Sequence, residues 1–387
     1  MIPQEILKEA LLIVGRALPE GRAALPITSH ILLATEGPGT LRLSATNLDM
    51  SIHCWIGGEW DNPIAIAVPG RIFIDLISTL PPGPVSLHQV DRLNLIVSSG
   101  RSRSTLHGMD AADFPPIQEI PGPEHRVAIT TAFLLKSAID RVAFAAADDD
   151  ARPTLSSVLI RQSPRNEHDI ILAAADGYRL AMTMTVGARG QFSILLPIRA
   201  AREVARICGR VDKKYDDDPQ AEIRLPADGS RAFIILEPPE DTPQPMRVLI
   251  VSSLVPGNFP DYEHLIPNSR EASIAIEPRF KQACEIAMIF ARELESSPVT
   301  IIGNDRNTRI VSSSPWLGDV QISLDKLPDG LPFEIIFNAK YLLDALNTLD
   351  DPMVIFELAS TKYGPGVIRT DYNRFVYVVM PMLEEEQ

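Results

Sequence analysis

The chain lacks the features that mark several large classes of protein. Its three cysteines, Cys54, Cys208 and Cys284, lie far apart and form no C-x-x-C pair, so neither a zinc site nor a disulfide framework is indicated and reduced core thiols are expected. Every apolar stretch is broken by Pro, Gly or a charged residue before the roughly 18–20 residues that a membrane span needs. Residues 1–18 lack the layout of a signal peptide. We therefore expect a cytoplasmic protein.

Catalytic signatures are missing as well. The sequence contains no G-x-S-x-G, no H-E-x-x-H, no phosphate-binding loop and no dinucleotide-binding glycine pattern, and its histidines are scattered. An acid–base pair of Asp176 with His264 is the enzyme alternative. Asp176 is better explained as a turn residue that accepts local backbone hydrogen bonds, with Gly177 free to adopt a positive φ. We expect no enzyme activity, no cofactor and no metal.

Net positive charge, the usual mark of a nucleic-acid-binding protein, is also missing, since the formal charge is −14. The cations are unevenly placed, however. Taken together, the six helical segments described below contain more Lys and Arg than Asp and Glu, and the excess is largest in residues 197–214. One interpretation is that exposed helix faces happen to carry cations. The other is a locally basic surface on an acidic protein, and six helices together favour it.

What the chain does contain is a pattern that occurs three times. Each repeat opens with an amphipathic helical segment, at residues 5–18, 131–146 and 279–292, and short alternating or β-branched strand segments follow. A second helix then begins after PGR at residues 69–71, PIR at 197–199 and NAK at 338–340, where a cap or first-turn residue precedes a cation. We predict an α+β fold of three similar domains, residues 1–122, 123–267 and 268–387, each with two helices packed on antiparallel sheets of about eight strands.

The start of the first repeat differs from the other two. Strand-like segments at residues 125–130 and 271–276 precede the first helices of the second and third repeats, whereas only residues 1–4 precede that of the first. The first strand must therefore be short or missing, and Pro3 would not donate a ladder hydrogen bond.

Several separated segments, in the right order, resemble the bacterial DNA sliding clamps, the beta subunits of DNA polymerase III. They are AADGYRLA at residues 174–181, GNFPDY at 257–262, YVVMPM at 377–382, AADFP at 111–115 and GRSR at 100–103. The resemblance implies the DNA-clamp fold, in which two three-domain chains close head to tail into a ring around duplex DNA. It implies a processivity factor that tethers the DNA polymerase III alpha subunit and also binds the clamp loader, other polymerases and repair proteins.

The same resemblance implies which residues face DNA. Arg22 and Arg71 occupy positions of DNA-contacting arginines in the family. Residues 148–154 (DDDARPT) depart from the polar and aromatic contacts that the family has there, and three carboxylates would repel phosphate. More of the positive field would then fall to the second helix of the central repeat, through Arg199, Arg202, Arg206 and Arg210.

A pocket that takes a short partner peptide, with a Gln and bulky apolar residues, is also implied. The matching residues come from three parts of the sequence: Leu155, Gly177, Tyr178, Arg179, Leu180, Pro260, Leu265, Val378, Met380, Pro381 and Met382. Flexible Met and Leu side chains suit a site that accepts several partners. Each of these residues, considered alone, would more often be core. Ala175 and His264 replace a Thr and an Arg of the family and could change partner preference.

For the subunit interface, the resemblance places Ser104 and Leu106 against Ile289 and Phe290 of a second copy, and Arg101 and Arg103 against an acidic cluster. Ser104 is smaller than the family's residue and Phe290 larger, which would conserve packed volume. Residues 316–319 (WLGD) stand where the family has an acidic cluster, so closure would depend more on apolar contact than on ion pairs. The alternative function is a diverged clamp paralogue that serves a specialised polymerase or a repair partner.

Overall fold

The computed structural model describes residues 1–19, 21, 25–37, 39–60, 62–149, 151–294, 296–325, 327–361, 363–370 and 374–382. In this part of the chain each predicted repeat contains two helices. They are α1 (Gln4–Val14), α2 (Gly70–Thr79), α3 (Ala132–Ala143), α4 (Ile198–Asp212), α5 (Pro278–Ala291) and α6 (Ala339–Leu346).

The strands follow the same threefold plan. Those of the first repeat are β1 (Ile2–Pro3), β2 (His30–Thr35), β3 (Thr40–Thr46), β4 (Met50–Gly57), β5 (Ala65–Pro69), β6 (Pro84–Asp91), β7 (Asn94–Ser99), β8 (Ser102–His107) and β9 (Met109–Asp110). Those of the second are β10 (Arg126–Thr131), β11 (Ser157–Gln162), β12 (Asp169–Ala175), β13 (Arg179–Val186), β14 (Ser193–Pro197), β15 (Gln220–Arg224), β16 (Arg231–Glu237) and β17 (Arg247–Ser253). Those of the third are β18 (Ala272–Ala275), β19 (Pro298–Gly303), β20 (Thr308–Ser314), β21 (Gly318–Leu324), β22 (Asp329–Gly330), β23 (Phe333–Asn338), β24 (Val354–Leu358), β25 (Gly366–Thr370) and β26 (Phe375–Val379).

Local sequence explains the helices. In α1 the buried Leu7, Ala10, Leu11 and Val14 recur at the spacing of one helical face. The helix ends at Val14, before the predicted residue 18, and a 3₁₀ turn (Gly15–Ala17) follows it. At the start of α6 the predicted cap is confirmed, because the Asn338 side-chain oxygen accepts hydrogen bonds from the backbone N–H groups of residues 340 and 341, at 2.9 and 3.2 Å.

Contacts group the chain into two compact units, and helices α3 and α4 contribute residues to both. Unit 1 comprises Met1–Lys136, Gly187–Phe192 and Arg202–Leu254. It holds a four-stranded sheet, in the order β1-β6-β7-β8, and a nine-stranded sheet, in the order β10-β15-β16-β17-β4-β3-β2-β5-β9. As predicted, the first strand is short: β1 pairs with β6 through two residues only.

Unit 2 comprises Ser137–Val186, Ser193–Ala201 and Val255–Gln387. It holds a nine-stranded sheet, in the order β14-β11-β12-β13-β26-β25-β24-β18-β22, and a four-stranded sheet, in the order β21-β20-β19-β23. All strand pairs of both units are antiparallel over the described residues, so the predicted α+β class is confirmed.

Two strand pairs explain why three repeats give two units. In unit 1 strand β17 of the second repeat pairs with β4 of the first, and we call this pair the first joint. In unit 2 strand β13 of the second repeat pairs with β26 of the third, and we call this pair the second joint. The middle repeat is therefore divided, since each of its two sheets continues into a neighbouring repeat. The predicted boundaries at residues 122 and 267 stay a prediction.

The cores are apolar, and the cysteines belong to them. Cys54, Cys208 and Cys284 are buried and form no disulfide, which confirms the expectation of core thiols. Burial raises the pKa of the Cys284 thiol to about 12, so the reactive thiolate is disfavoured at neutral pH. None of the helices in the described residues is long and apolar enough to cross a membrane.

Candidate functional site

The turn that leads into β13 is fixed by its own backbone. The Asp176 Oδ1 atom accepts hydrogen bonds from the N–H groups of Tyr178 (2.9 Å) and Arg179 (3.0 Å). Gly177 lies between Asp176 and Tyr178 with a φ of 100°, a conformation that L side chains rarely adopt. The predicted role of Asp176 as a turn residue is confirmed, and the Asp-Gly pair is what places Tyr178 at the surface.

Arg179 holds this turn to helix α6. Its guanidinium donates to Asp176 Oδ2 at 2.9 Å and to Asp344 Oδ2 at 2.7 Å, and it lies 4.2 Å from the centre of the Tyr341 ring. The Arg179 side chain is only 9% exposed, so its charge is largely removed from water. Burial lowers the pKa of this group, but the hydrogen bond to Asp344 and the other anionic neighbours outweigh burial and raise the pKa above its usual value.

The second joint brings the turn beside the end of the chain. Leu180 pairs with Val378 and Arg179 with Val379, and the Met380 N–H donates to the Tyr178 carbonyl at 2.9 Å. Residues 177–180 and 378–380, predicted to share one site from separate segments, therefore lie together. The Met382 N–H donates to the Ile336 carbonyl at 2.8 Å, which continues the chain past β23.

Exposure divides the predicted pocket residues into two groups. Leu180 and Val378 are almost fully buried in a cluster with Tyr262, so for these two the core interpretation holds. Tyr178, Leu265 and Met380 are 64%, 50% and 46% exposed. The remaining lining residues differ in exposure: Pro260 is exposed, whereas Leu155, Pro381 and Met382 are half-buried. The exposed members of the set are thus an aromatic ring, a leucine and a thioether. Met380 donates to the Tyr178 carbonyl, and Leu265 donates to the carbonyl of Tyr262, which belongs to the apolar cluster of Leu180 and Val378.

Three residues that hold Arg179 were not found by sequence reasoning. Asp344 and Tyr341 belong to α6, and the Phe144 ring lies 5.7 Å from the guanidinium. Each looks like an ordinary helix residue in the sequence. The available signal is the Asp in YLLDAL, which interrupts an apolar segment, but Lys340 lies four residues earlier and offers an ordinary partner on the same helix.

The arginines predicted to face DNA are only partly available. Arg71 is exposed at the start of α2 and donates to the Pro19 carbonyl at 2.8 Å. Arg199 and Arg206 are exposed on α4, and Arg202 is half-buried. Arg22 lies outside the described residues.

Carboxylates balance much of the charge around α4. Glu203 accepts from Arg206 at 2.6 Å and from Arg16 at 2.6 Å, and Arg210 pairs with Glu9 at 2.9 Å. The net field of this helix is therefore weaker than a count of its cations indicates. These pairs are exposed or half-exposed, so competition with phosphate would cost little.

The acidic segment of the second repeat folds onto itself. The two carboxylate oxygens of Asp149 accept from the Ala151 N–H at 2.7 Å and from Arg152 Nε at 3.3 Å. Arg152 also donates to the Asp176 carbonyl at 3.2 Å. Asp150 lies outside the described residues. Asp149 is thus partly neutralised by its own loop, which also contacts the turn that carries Tyr178.

A cavity of about 1220 Å³ lies in unit 1 between α1 and α4. Its walls mix cations such as Lys213 and Lys214 with carboxylates such as Asp217 and Glu240, and none of the predicted pocket residues lines it. Such a mixed lining selects no single ligand charge, so its size does not make it the functional site.

Each four-stranded sheet ends in an edge strand. Over the described residues, β8 pairs only with β7 and β21 only with β20. Arg101 directly precedes β8 and Arg103 lies on it, and both are exposed. Leu106, also on β8, is only 8% exposed because its own sheet and core already cover it. Ile289 is 51% exposed on α5 and Phe290 is half-buried. The predicted interface residues thus offer charge and one aliphatic patch, with little surface from Leu106.

Comparisons with known proteins agree with this architecture. Three family models match, described as the N-terminal, central and C-terminal domains of the DNA polymerase III beta subunit, at residues 1–118, 130–217 and 263–383. The beta sliding clamp of Vibrio cholerae is 29% identical over 367 residues, 94% of this chain and 93% of that one.

Solved structures show the same fold. A sliding clamp of Pseudomonas aeruginosa, bound to griselimycin, superposes with a TM-score of 0.85 at 26% identity and covers 99% of this chain and 98% of that one. The DNA polymerase sliding clamp of Bacillus subtilis gives a TM-score of 0.86 at 24% identity over 99% and 98% of the two chains. The chain belongs to the family of bacterial DNA sliding clamps, the beta subunits of DNA polymerase III.

Proposed function

We propose that this chain is a non-catalytic processivity factor that encircles duplex DNA and tethers the replicative polymerase through the surface formed by Tyr178, Leu265 and Met380. The observation that carries the proposal is this apolar surface, held at the second joint by the Asp176 turn and the Arg179 ion pairs. An exposed aromatic and thioether patch above a rigid sheet is typical of a site that binds several apolar peptides.

Partners are proposed by peptide chemistry. The polymerase III alpha subunit, the clamp loader, other polymerases and repair proteins would each offer a short segment with a Gln and bulky apolar side chains. Burying two such side chains contributes roughly 1.5–3 kcal/mol each, less the cost of ordering the peptide, which suggests micromolar affinity for the isolated motif. Whole partners would bind more tightly through additional contacts.

DNA is held by topology and phosphate contacts rather than by base recognition. Arg71, Arg199, Arg202 and Arg206, together with Arg22, would contact phosphates and so leave the ring free to slide. Binding by the ring before loading is then weak, insensitive to sequence and steeply salt-dependent. Arg71→Ala combined with Arg206→Ala should lower this binding, and a sequence-specific footprint would contradict the proposal.

Ring closure would join the β8 edge of one copy to the β21 edge of a second copy, with Arg101, Arg103 and Leu106 on one side and Ile289 and Phe290 on the other. Each chain carries both edges, so two chains would close a ring through two identical head-to-tail contacts. Retention on DNA tests the whole proposal. The protein should stay on closed circular DNA after loading and be lost when that DNA is linearised, whereas equal loss from both would reject encirclement.

The peptide surface has its own test. In competition with a fluorescent peptide of Gln-x-x-Leu-Phe type, Met380→Ala and Tyr178→Ala should each weaken binding about tenfold while the dimer and its retention on DNA are unchanged. Met353 is 55% exposed in the same repeat, so Met353→Ala is the matched control. Unchanged affinity in both pocket variants would show that these side chains do not contact the peptide.

The closed loop around Asp149 favours a second candidate, a diverged clamp paralogue that serves a specialised polymerase or a repair partner. A loop carboxylate where the family has DNA contacts would weaken binding to duplex DNA. Primer extension distinguishes the two functions: a main replicative clamp stimulates the host's polymerase III most, and a paralogue stimulates a different polymerase more strongly.

A further inference from the structure

Trp316 is exposed to an unusual degree for its size. It lies at the tip of the β20–β21 hairpin, where Ser314 pairs with Gly318, and it is 87% exposed beside Leu317, which is 50% exposed. Exposed tryptophan next to exposed leucine costs hydration free energy unless another molecule covers both. Strand β21, the second strand of this hairpin, is an edge strand of its four-stranded sheet over the described residues.

A second apolar hairpin tip lies next to β8, the edge strand of the four-stranded sheet in unit 1. Val90 and Leu93, at the β6–β7 turn, are 56% and 51% exposed. Asn94 pairs with His107 at the end of β8, and the Gly108 N–H donates to the Leu93 carbonyl at 2.7 Å. Leu93 therefore lies next to the carboxyl end of the β8 edge.

Strand direction aligns these two tips. Both four-stranded sheets are antiparallel throughout the described residues, and the proposed contact continues this pattern, with β21 of one copy added to β8 of another in the antiparallel sense. The amino end of β21 then lies beside the carboxyl end of β8. Trp316 and Leu317 precede β21 directly, and Leu93 and His107 lie at that end of β8, so the two apolar tips meet at the same end of the shared sheet.

Charge alone would not stabilise this contact between β8 of one copy and β21 of another. Arg101 and Arg103 supply cations at the β8 edge, but β21 contains a single carboxylate, Asp319, among the residues Gly318–Leu324. An isolated exposed ion pair typically contributes little to the free energy of association. An apolar anchor, by contrast, excludes water from the end of the inter-chain sheet, and tryptophan is one of the residue types enriched among the side chains that dominate interface energies.

We propose that Trp316 and Leu317 form an apolar anchor that docks on the Val90–Leu93 tip of a second copy of this chain and stabilises the closed dimer. The inference rests on the proposed ring, and it specifies which side chains close it.

The dimer dissociation constant, measured by sedimentation velocity or mass photometry, tests the anchor. Trp316→Ala should raise it about 30-fold, equivalent to about 2 kcal/mol, because truncating an aromatic side chain that is buried in an interface has an effect of that order. Leu93→Ala should raise it about tenfold. Tyr363 is 73% exposed in the same repeat, so Tyr363→Ala is the matched control and should leave the constant unchanged.

A double-mutant cycle shows whether the two tips touch. If they do, the Trp316→Ala, Leu93→Ala double variant should weaken the dimer less than the product of the two single effects. Trp316→Phe should keep most of the affinity, and thermal melts of the monomeric forms should coincide because both side chains are exposed. A wild-type dimer with an unchanged constant in Trp316→Ala, or with strictly multiplicative effects, would overturn the anchor and leave the ring standing. A wild-type chain that is monomeric at micromolar concentration would overturn both.

Discussion

The two joints of the molecule share one backbone plan. At the first joint, Asn47 Oδ1 accepts from the N–H groups of Asp49 and Met50 at 3.1 and 2.8 Å, as Asp176 does for its own turn at the second joint. The Ser253 N–H donates to the Asp49 carbonyl at 2.9 Å, just as the Met380 N–H donates to Tyr178. Leu48, with a φ of 81°, takes the place of Gly177.

Their side chains differ at every position that reaches the surface. Where the second joint presents Tyr178 and Met380, the first presents Asp49 and Ser253, and its Leu48, 49% exposed, stands at the position of Gly177. Where Arg179 is held by two carboxylates, Met50 is 6% exposed and packs in the core. The repeated backbone supplies the platform, and the side chains decide which copy of it can bind an apolar peptide.

Making the second joint resemble the first should have the largest effect. Arg179→Met would leave Asp176 and Asp344 without their cation in a poorly hydrated site, so we expect the free energy of unfolding to fall by about 3 kcal/mol. Chemical denaturation measures this directly. Met50→Leu at the equivalent position should change stability by less than about 1.5 kcal/mol.

The Arg179 prediction has an internal check. Adding Asp344→Leu to Arg179→Met should recover part of the lost stability, since a stranded carboxylate is removed. A single Arg179→Met variant within about 1 kcal/mol of the wild type would show that the ion pairs contribute little.

The joints should also respond differently to pH. His53 on β4 occupies the position that Met182 holds on β13, and burial, then the charge of Arg42, lowers the pKa of His53 to about 4. The unfolded chain, with an ordinary histidine pKa, takes up the proton first as pH falls. The His53 contribution is therefore complete above about pH 6.5 and is lost toward pH 4, by about 2 kcal/mol between pH 7 and 5.

A variant tests this by removing the titrating group. His53→Met should flatten that part of the pH dependence of unfolding. If the wild type and His53→Met lose the same stability between pH 7 and 5, the histidine is not responsible.

The smallest effect concerns the turns themselves. Gly177→Ala should cost about 1 kcal/mol, because alanine must adopt a positive φ although its Cβ would meet no atom closer than 3.6 Å. Leu48→Gly relieves similar strain but gives the unfolded chain more freedom, so we expect a change within about 0.5 kcal/mol. Thermal unfolding of the two variants tests this: if turn strain were unimportant, Gly177→Ala would raise the melting temperature and Leu48→Gly would lower it.

Local sequence predicted much of this molecule. The three repeats, the six helices and the Asp-Gly turn follow from residue periodicity, caps and turn chemistry, which depend on neighbours a few residues apart. The short first strand followed from the small number of residues, 1–4, before the first predicted helix. The segments of the second joint were matched by their resemblance to a family, because residues 177–180 and 378–382 show no local sign of proximity.

Long-range packing decided the rest. Nothing in the sequence showed that β17 pairs with β4, that Asp344 holds Arg179 from 165 residues away, or that Leu180 and Val378 are core while Met380 is exposed. A strand's edge hydrogen bonds are alike for any partner, so pairing between repeats depends on the faces that remain apolar after each repeat has folded. By itself the sequence determined three similar α+β repeats. The tertiary structure decided how they join and which of the two joints exposes an aromatic ring beside a thioether, because burial depends on residues brought together from across the chain.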